Sequence, residues 1–446
     1  MILIFYGILA VLVCLFLIMS IVFLLEKEKR PALFSFLSSF LFVLLFVGFI
    51  FFDDAEKELF AYGFTAVGII ISILLLIPFK NPKHIKPGVV KKQFDERNVM
   101  FSRVELVPGT DKFEAYYKQN PEKKLLDDKF REKPGLLSKK ATEHHPFKFA
   151  SAEANFMAVD AFVPYKKENI ASKKQEVKPE EVSNYIKKWA KQIGAVSVGI
   201  TDLKKQHLYS VKGRGKEYGN EIEQTHPFAI AFTVEMDKEM LDMAPAAEAI
   251  MESSQQYLHS ANIAAQIALF IRNLGYSALA HFDGNYQVIC PVVAKDAGLG
   301  EFGRMGLLMT PELGSRVRIA VITTDLPLVT DEYKYEPSVI DFCTICKKCA
   351  DNCPSRAISF EPMQEIDGVV RWKINHEACF TYWSITGTDC GKCIQVCPYA
   401  HPDNLMHNIV RKGIKNSYLF GKLALQMDDL FYGRKTSNKG RESPVA

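Results

Sequence analysis

The residues best suited to chemistry are cysteines. Of ten in the chain, eight fall between Cys343 and Cys397. Cys343, Cys346, Cys349 and Cys353 are spaced by two, two and three residues and followed by Pro354. Cys390, Cys393 and Cys397 are spaced by two and three and followed by Pro398, with ten residues between Cys379 and Cys390. Such runs hold [4Fe–4S] cubes, the last cysteine of one run serving the other cube. Cys343, Cys346 and Cys349 then hold one cube with Cys397, and Cys379, Cys390 and Cys393 hold a second with Cys353. Zinc is the competing ligand for four thiolates; eight ligands and the proline closing each run favour clusters. A disulfide scaffold would spread its cysteines through a small secreted fold, so this crowding points to a reducing, metal-loading compartment. Cys14 and Cys290 lie in apolar stretches and read as packing residues.

Gly298, Gly300 and Gly303 match the dinucleotide fingerprint, but Gly306 and Pro311 interrupt the helix that must follow and position 323 is Thr323 rather than an acid. A Rossmann site is excluded. The glycines with Arg304 still let backbone approach something large and flat, or anionic. Tyr257 lies on the apolar face of a helical stretch, where a core tyrosine is the plainer reading. Arg316 and Arg318 alternate with Val317 and Ile319 at the entrance of a strand, either solvated or placed to stabilise a phenolate.

These residues need elements to hold them. Residues 2–25, 32–52 and 59–79 are three nearly uncharged runs, each as long as the roughly 20 residues a membrane helix needs. Three runs make a membrane domain, not a signal peptide, and no twin-arginine signal precedes them. Lys27, Lys29 and Arg30 lie between the first two; Asp53, Asp54, Glu56 and Glu58 lie between the second and third. Lys80, Lys83, Lys86, Lys91 and Lys92 follow the third. The excess of basic residues puts the first loop and everything after residue 80 in the cytoplasm. No histidine precedes His84, which excludes a bis-histidine haem among these helices. Net charge is only +4, giving no reason to expect nucleic acid as a partner.

Residues 81–180 are polar and Lys- and Pro-rich, reading as solvated loops and short helices. A helix is expected over 182–193, with strands at 195–200 and 228–234. A long helix follows from near Pro245 to Gly275, with Tyr257, Ala261, Ala264, Ala268 and Ile271 on one face. Further strands are expected at 286–293 and 317–323. The fold class is therefore α+β: three membrane helices (1–80), the polar segment packing on the core (81–180), a catalytic domain (181–335), a ferredoxin-like two-cluster domain (336–405) and a tail (406–446).

With the cysteine module in place, the chain resembles the corrinoid- and iron–sulfur-dependent reductive dehalogenases. The resemblance runs from Gln93-Phe94-Asp95-Glu96-Arg97-Asn98-Val99-Met100-Phe101-Ser102-Arg103 to Met427-Asp428-Asp429-Leu430-Phe431-Tyr432-Gly433. Between them lie Phe232-Thr233-Val234-Glu235-Met236-Asp237, Arg272-Asn273-Leu274-Gly275-Tyr276, Ala297–Arg304, Gly314-Ser315-Arg316-Val317-Arg318 and Thr324-Asp325-Leu326-Pro327-Leu328. It implies a nitroreductase-like core holding a cobalamin-type corrinoid beside a cluster, with Gly298, Gly300, Gly303 and Arg304 among its contacts. No Asp-x-His-x2-Gly motif is present, as expected where the corrinoid binds base-off. By position Tyr257 resembles the family's proton donor and Arg316 the basic residue that activates it. Asp283 and Asn285 both fall where a further polar pocket residue is expected.

The resemblance implies removal of halide from an organohalide by two electrons and a proton. The electron donor does not carry over, because this chain has its own apolar helices: a quinol-linked route and a cytoplasmic ferredoxin or flavodoxin both stand, and membrane lipid is a further partner. Two rivals are an epoxide reductase acting on a modified tRNA base and a membrane electron carrier without corrinoid. The first often adds a helical-repeat tail for RNA, whereas about fifty residues follow Cys397 here.

Overall fold

Phe228–Glu235 and Val317–Thr324 are β-rich stretches buried along nearly their whole length, which marks them as central strands with both faces covered. In the computed structural model, which describes residues 2–82, 84–163, 169–284, 286–436 and 442–445, they form the middle of a four-stranded sheet. With β1 (Ser197–Asp202), β2 (Phe228–Glu235), β3 (Ala278–His281), β4 (Glu301–Phe302), β5 (Leu308–Met309) and β6 (Val317–Thr324), the sheet order is β1-β2-β6-β3. Every pair is antiparallel, with Phe232 opposite Val198 on one side and Ala320 on the other. β4 and β5 form a separate small hairpin.

The period of two divides the sheet's faces. Ile230, Phe232, Val234, Ala320 and Ile322 pack in one core with the long helix Ala247–Asn273. Ala229, Ala231 and Val321 pack in another with Val293 and Ala294 of the helix Cys290–Asp296. Ala261, Ala264, Ala265 and Ala268 are fully or almost fully buried on the long helix; alanine both favours helix and lets the axis approach the sheet closely.

The expected strand at 286–293 is corrected. The fourth strand is Ala278–His281, and Cys290–Asp296 is a helix with a proline at its start. Pro291 has no N–H for a ladder but suits the first turn of a helix. The polar segment contributes more order than its composition suggests: helices Asp111–Gln119, Pro121–Arg131 and Pro146–Asp160 bury Phe113, Tyr117, Phe130 and Phe149. Its buried Arg103 lies 3.4 Å from Asp127 and 2.8 Å from Glu377, which opens the helix His376–Thr386.

By compactness the chain divides in two. One unit is Lys83–Asn408 with Ser437–Ala446; the other is Met1–Pro82 with Ile409–Thr436. In the second, helices Ile2–Leu25, Lys29–Ile50 and Asp54–Leu76 are long and apolar enough to cross a membrane. Asp53 and Glu56 form a capping box at the start of the third.

Candidate functional site

The cysteines are set by short helices broken at left-handed residues. Cys343 and Cys346 lie on Pro337–Cys346, and Lys347 (φ 57°) then turns the chain into Lys348–Asp351, which carries Cys349. Cys379 lies on His376–Thr386, and Cys390 (φ 59°) and Gly391 (φ 72°) turn into Lys392–Gln395, which carries Cys393. Cys349 lies in the electrostatic field of Cys343, Cys346 and Cys397. Cys393 lies in that of Cys390, Cys379, Cys349 and Cys353, and Cys379 in that of Cys353. Cys349 with Cys397, and Cys379 with Cys353, are thus neighbours across the two runs, as the expected exchange of Cys353 and Cys397 requires. Among the described residues no three His, Cys, Asp or Glu side chains close on a single-ion site; the grouping rests on chain order and on which thiols share a field.

The donor set suits clusters. The Ala357 N–H donates to the Cys353 sulfur at 3.2 Å. Further backbone N–H groups serve Cys343 (from Arg304), Cys390 (from Lys392) and Cys397 (from Tyr399 and Ala400). Hydrogen bonds to cluster sulfurs are one of the protein's means of setting reduction potential.

The glycine loop packs on the first quartet. A Cβ on Gly300 would stand 2.2 Å from the Met309 carbonyl oxygen, and one on Gly303 2.8 Å from the Met309 side chain and 3.6 Å from the Cys343 sulfur. Arg304 is almost wholly buried: its Nε donates to the Cys343 carbonyl at 3.0 Å and its Nη1 to those of Ser359 and Glu361 at 2.8 and 3.0 Å. Trp372 lies beneath its guanidinium, 5.1 Å away. Gly300, Gly303 and Arg304 therefore have packing duties toward the hairpin and the cluster loop, whatever else they touch. Gly298 takes φ +80°, a left-handed turn residue.

Tyr257 lies ten residues into the long helix, on the side facing β6. The Arg318 guanidinium covers its ring at 4.9 Å. Arg318 also donates to Asp389 at 2.9 Å and to the Ser253 hydroxyl. Arg316 is placed differently. It precedes β6, and its Nε donates to the Ala400 carbonyl at 3.0 Å while its Nη1 binds Glu235 and the Met236 carbonyl at 2.6 Å. Its guanidinium is spent bracing the end of the sheet against the second cysteine run; the cation on Tyr257 is that of Arg318.

Around this pair lie groups that spacing did not reveal. Tyr286 and Arg214 share the field of Tyr257 and Asp283, and the Arg214 guanidinium lies 6.0 Å from the rings of both Tyr286 and Phe101. Asp283 belongs to this set; Asn285 lies outside the described residues. Burial raises the Asp283 carboxyl above its ordinary range, against the pull of Arg214 and Arg318. Burial also pushes the Tyr257 hydroxyl up to about 12, outweighing Arg318. Among the described residues Arg318 Nε and Asp389 Oδ1 are buried without hydrogen-bond partners. Such unpaired polar atoms in an apolar setting mark room for a bound group.

Known proteins resemble the chain in its cysteine module and in its fold. The model of the 4Fe-4S dicluster domain matches residues 342–401. The chain is 31% identical over 293 residues to the tetrachloroethene reductive dehalogenase of Sulfurospirillum multivorans, covering 58% of each chain. A solved reductive dehalogenase, described with a mechanism for B12-dependent dehalogenation, superposes with a TM-score of 0.62 at 25% identity over 80% of this chain and 49% of that one. Similarity to the epoxyqueuosine reductase of Leadbetterella byssophila is 30% over 134 residues, 26% of this chain and 39% of that one. The chain thus spans about half the length of the dehalogenases it matches. Fold and cysteine module define a two-cluster iron–sulfur protein. Over much of its length the chain is similar to reductive dehalogenases.

Proposed function

We propose that the protein is a membrane-anchored reductive dehalogenase that replaces the halogen of an organohalide by hydrogen. The balance is two electrons and one proton in, with the carbon–halogen bond broken, a carbon–hydrogen bond formed and halide released. The two [4Fe–4S] clusters deliver the electrons singly. A corrinoid is the second cofactor; when bound it supplies the reducing centre at which the carbon–halogen bond breaks. Tyr257, Tyr286, Asp283 and Arg214 would line its chamber in a nitroreductase-like core, with the Gly298–Gly303 backbone approaching it from the first-cluster side.

The observation that carries this reading is the Arg318 guanidinium over the Tyr257 ring, a cation tied in turn to Asp389, the residue before Cys390. Tyr257 is the proton donor. Burial keeps its hydroxyl protonated at neutral pH, and Arg318 stabilises the phenolate left after transfer. The role first expected of Arg316 passes to Arg318. Asp389 and Ser253 hold Arg318 in place.

The three apolar helices anchor the chain, and the basic residues after the third set the catalytic unit in the cytoplasm. A quinol-linked route and a ferredoxin or flavodoxin are the candidate electron donors. The tRNA epoxide reading is supported by shorter matches, over about a quarter of the chain. Halide release from an organohalide panel by anaerobic, corrinoid-supplied protein with a chemical reductant tests the proposal; protein that carries iron and corrinoid yet releases no halide from any member would overturn it.

A further inference from the structure

Helix Tyr418–Phe431 is amphipathic in the inverted sense. Leu419, Leu423, Met427 and Leu430 recur every three or four residues and are all exposed, while Gly421 and Phe431 are its buried residues. A helix on a water-facing surface turns its polar stripe outward.

Its location explains the inversion. At one end the Tyr418 N–H donates to the Phe79 carbonyl at 2.8 Å, just beyond the third apolar helix. At the other, Phe431 and Tyr432 pack on Phe23, Phe431 on Phe34, and Arg30 donates to the Leu430 carbonyl at 3.1 Å. The helix therefore runs from the end of the third apolar helix to the link between the first two, crossing one end of the bundle. That end carries Lys27, Lys29, Arg30 and Lys80, and Leu24, Leu25 and Leu33 are exposed there. Ile409 and Val410, in the stretch just ahead, are also exposed, with Lys412 and Lys415 close by.

We infer that Ile409–Phe431 is an interfacial membrane element lying in the plane of the bilayer, with Leu419, Leu423, Met427 and Leu430 in the acyl-chain boundary. Lys412, Lys415 and Lys422 meet the headgroups, as the basic residues of in-plane helices do. Lipid is favoured over a second protein because the stripe continues the exposed apolar surface of the bundle it crosses. The inference rests on the bundle being a membrane anchor.

The test is tryptophan quenching by brominated lipid in full-length holoprotein reconstituted in vesicles. Leu423→Trp and Leu41→Trp, the latter an exposed mid-helix position of the second apolar helix, are each compared with the parent, whose three tryptophans set the background. Quenching at both positions is expected, with Leu430→Trp repeating the result should Leu423→Trp misfold. Quenching at Leu41 alone would overturn the interfacial element and leave the anchor standing. Quenching at neither would overturn the anchor and this inference with it.

Discussion

The Arg318 guanidinium lies over the Tyr257 ring, 4.9 Å from its centroid, while donating at 2.9 Å to Asp389, the residue before Cys390. One side chain thereby joins the candidate proton donor to the loop of the second cysteine quartet. Arg318 is on the sheet face it shares with Ala320 and Ile322, which pack with the long helix. The strand's alternation aims it at Tyr257.

Tyr257→Phe keeps the ring and removes the proton. Turnover is expected to fall by about 10²–10⁴, the contribution of a placed acid, with iron and corrinoid content unchanged. Loss of cofactor together with activity would make Tyr257 a core residue instead.

The two arginines should separate. Arg318→Gln is expected to lower the rate of halide release while the fold and clusters persist. Arg316→Gln leaves the buried Ala400 and Met236 carbonyls short of a donor, and should cost about 1–3 kcal/mol of stability for each group left unpaired. Thermal unfolding and single-turnover rates, measured on both variants, distinguish them; a rate loss confined to Arg316→Gln would restore that residue to the site.

The pH profile follows from Tyr257. Burial raises its hydroxyl to about 12, so the donor form persists as pH rises and is lost only as pH passes that value. Between neutrality and pH 9 the proton-transfer step should show no alkaline limb due to Tyr257. A fall over that range in the parent, absent from a variant turning over without this hydroxyl, would show that the hydroxyl ionises far lower.

The quartets predict which cluster each cysteine serves. Cys353→Ala and Cys379→Ala should weaken the same cluster, and Cys397→Ala the other, although Cys353 belongs to the first run in sequence. Iron analysis and electron paramagnetic resonance of the reduced variants read this directly. Matching spectra for Cys353→Ala and Cys349→Ala would contradict the exchange.

Much of this was legible before any coordinates. Cysteine spacing carries its own geometry, because few backbones place four thiolates around a cube, and the apolar runs and Tyr257's helix announce themselves by period. The strand expected at 286–293 failed because a buried helix start and a buried strand are both short apolar runs, and Pro291 was the overlooked signal. Arg316 and Arg318 share a strand-like alternation, but Arg316 falls just before the pairing begins, where the chain turns toward Glu235 and Ala400. Asp389 had no signal beyond its place before Cys390, and Arg214 and Tyr286 reach the site from segments distant in sequence.

The decisive quantity is the metal and cofactor content of the anaerobically purified, corrinoid-supplied protein, read with its visible spectrum and halide release. About eight iron and one cobalt per chain, a base-off corrinoid spectrum and halide release that Tyr257→Phe slows by about 10²–10⁴ are expected. Eight iron without cobalt, and no halide released, would leave an anchored electron carrier and contradict the dehalogenase assignment.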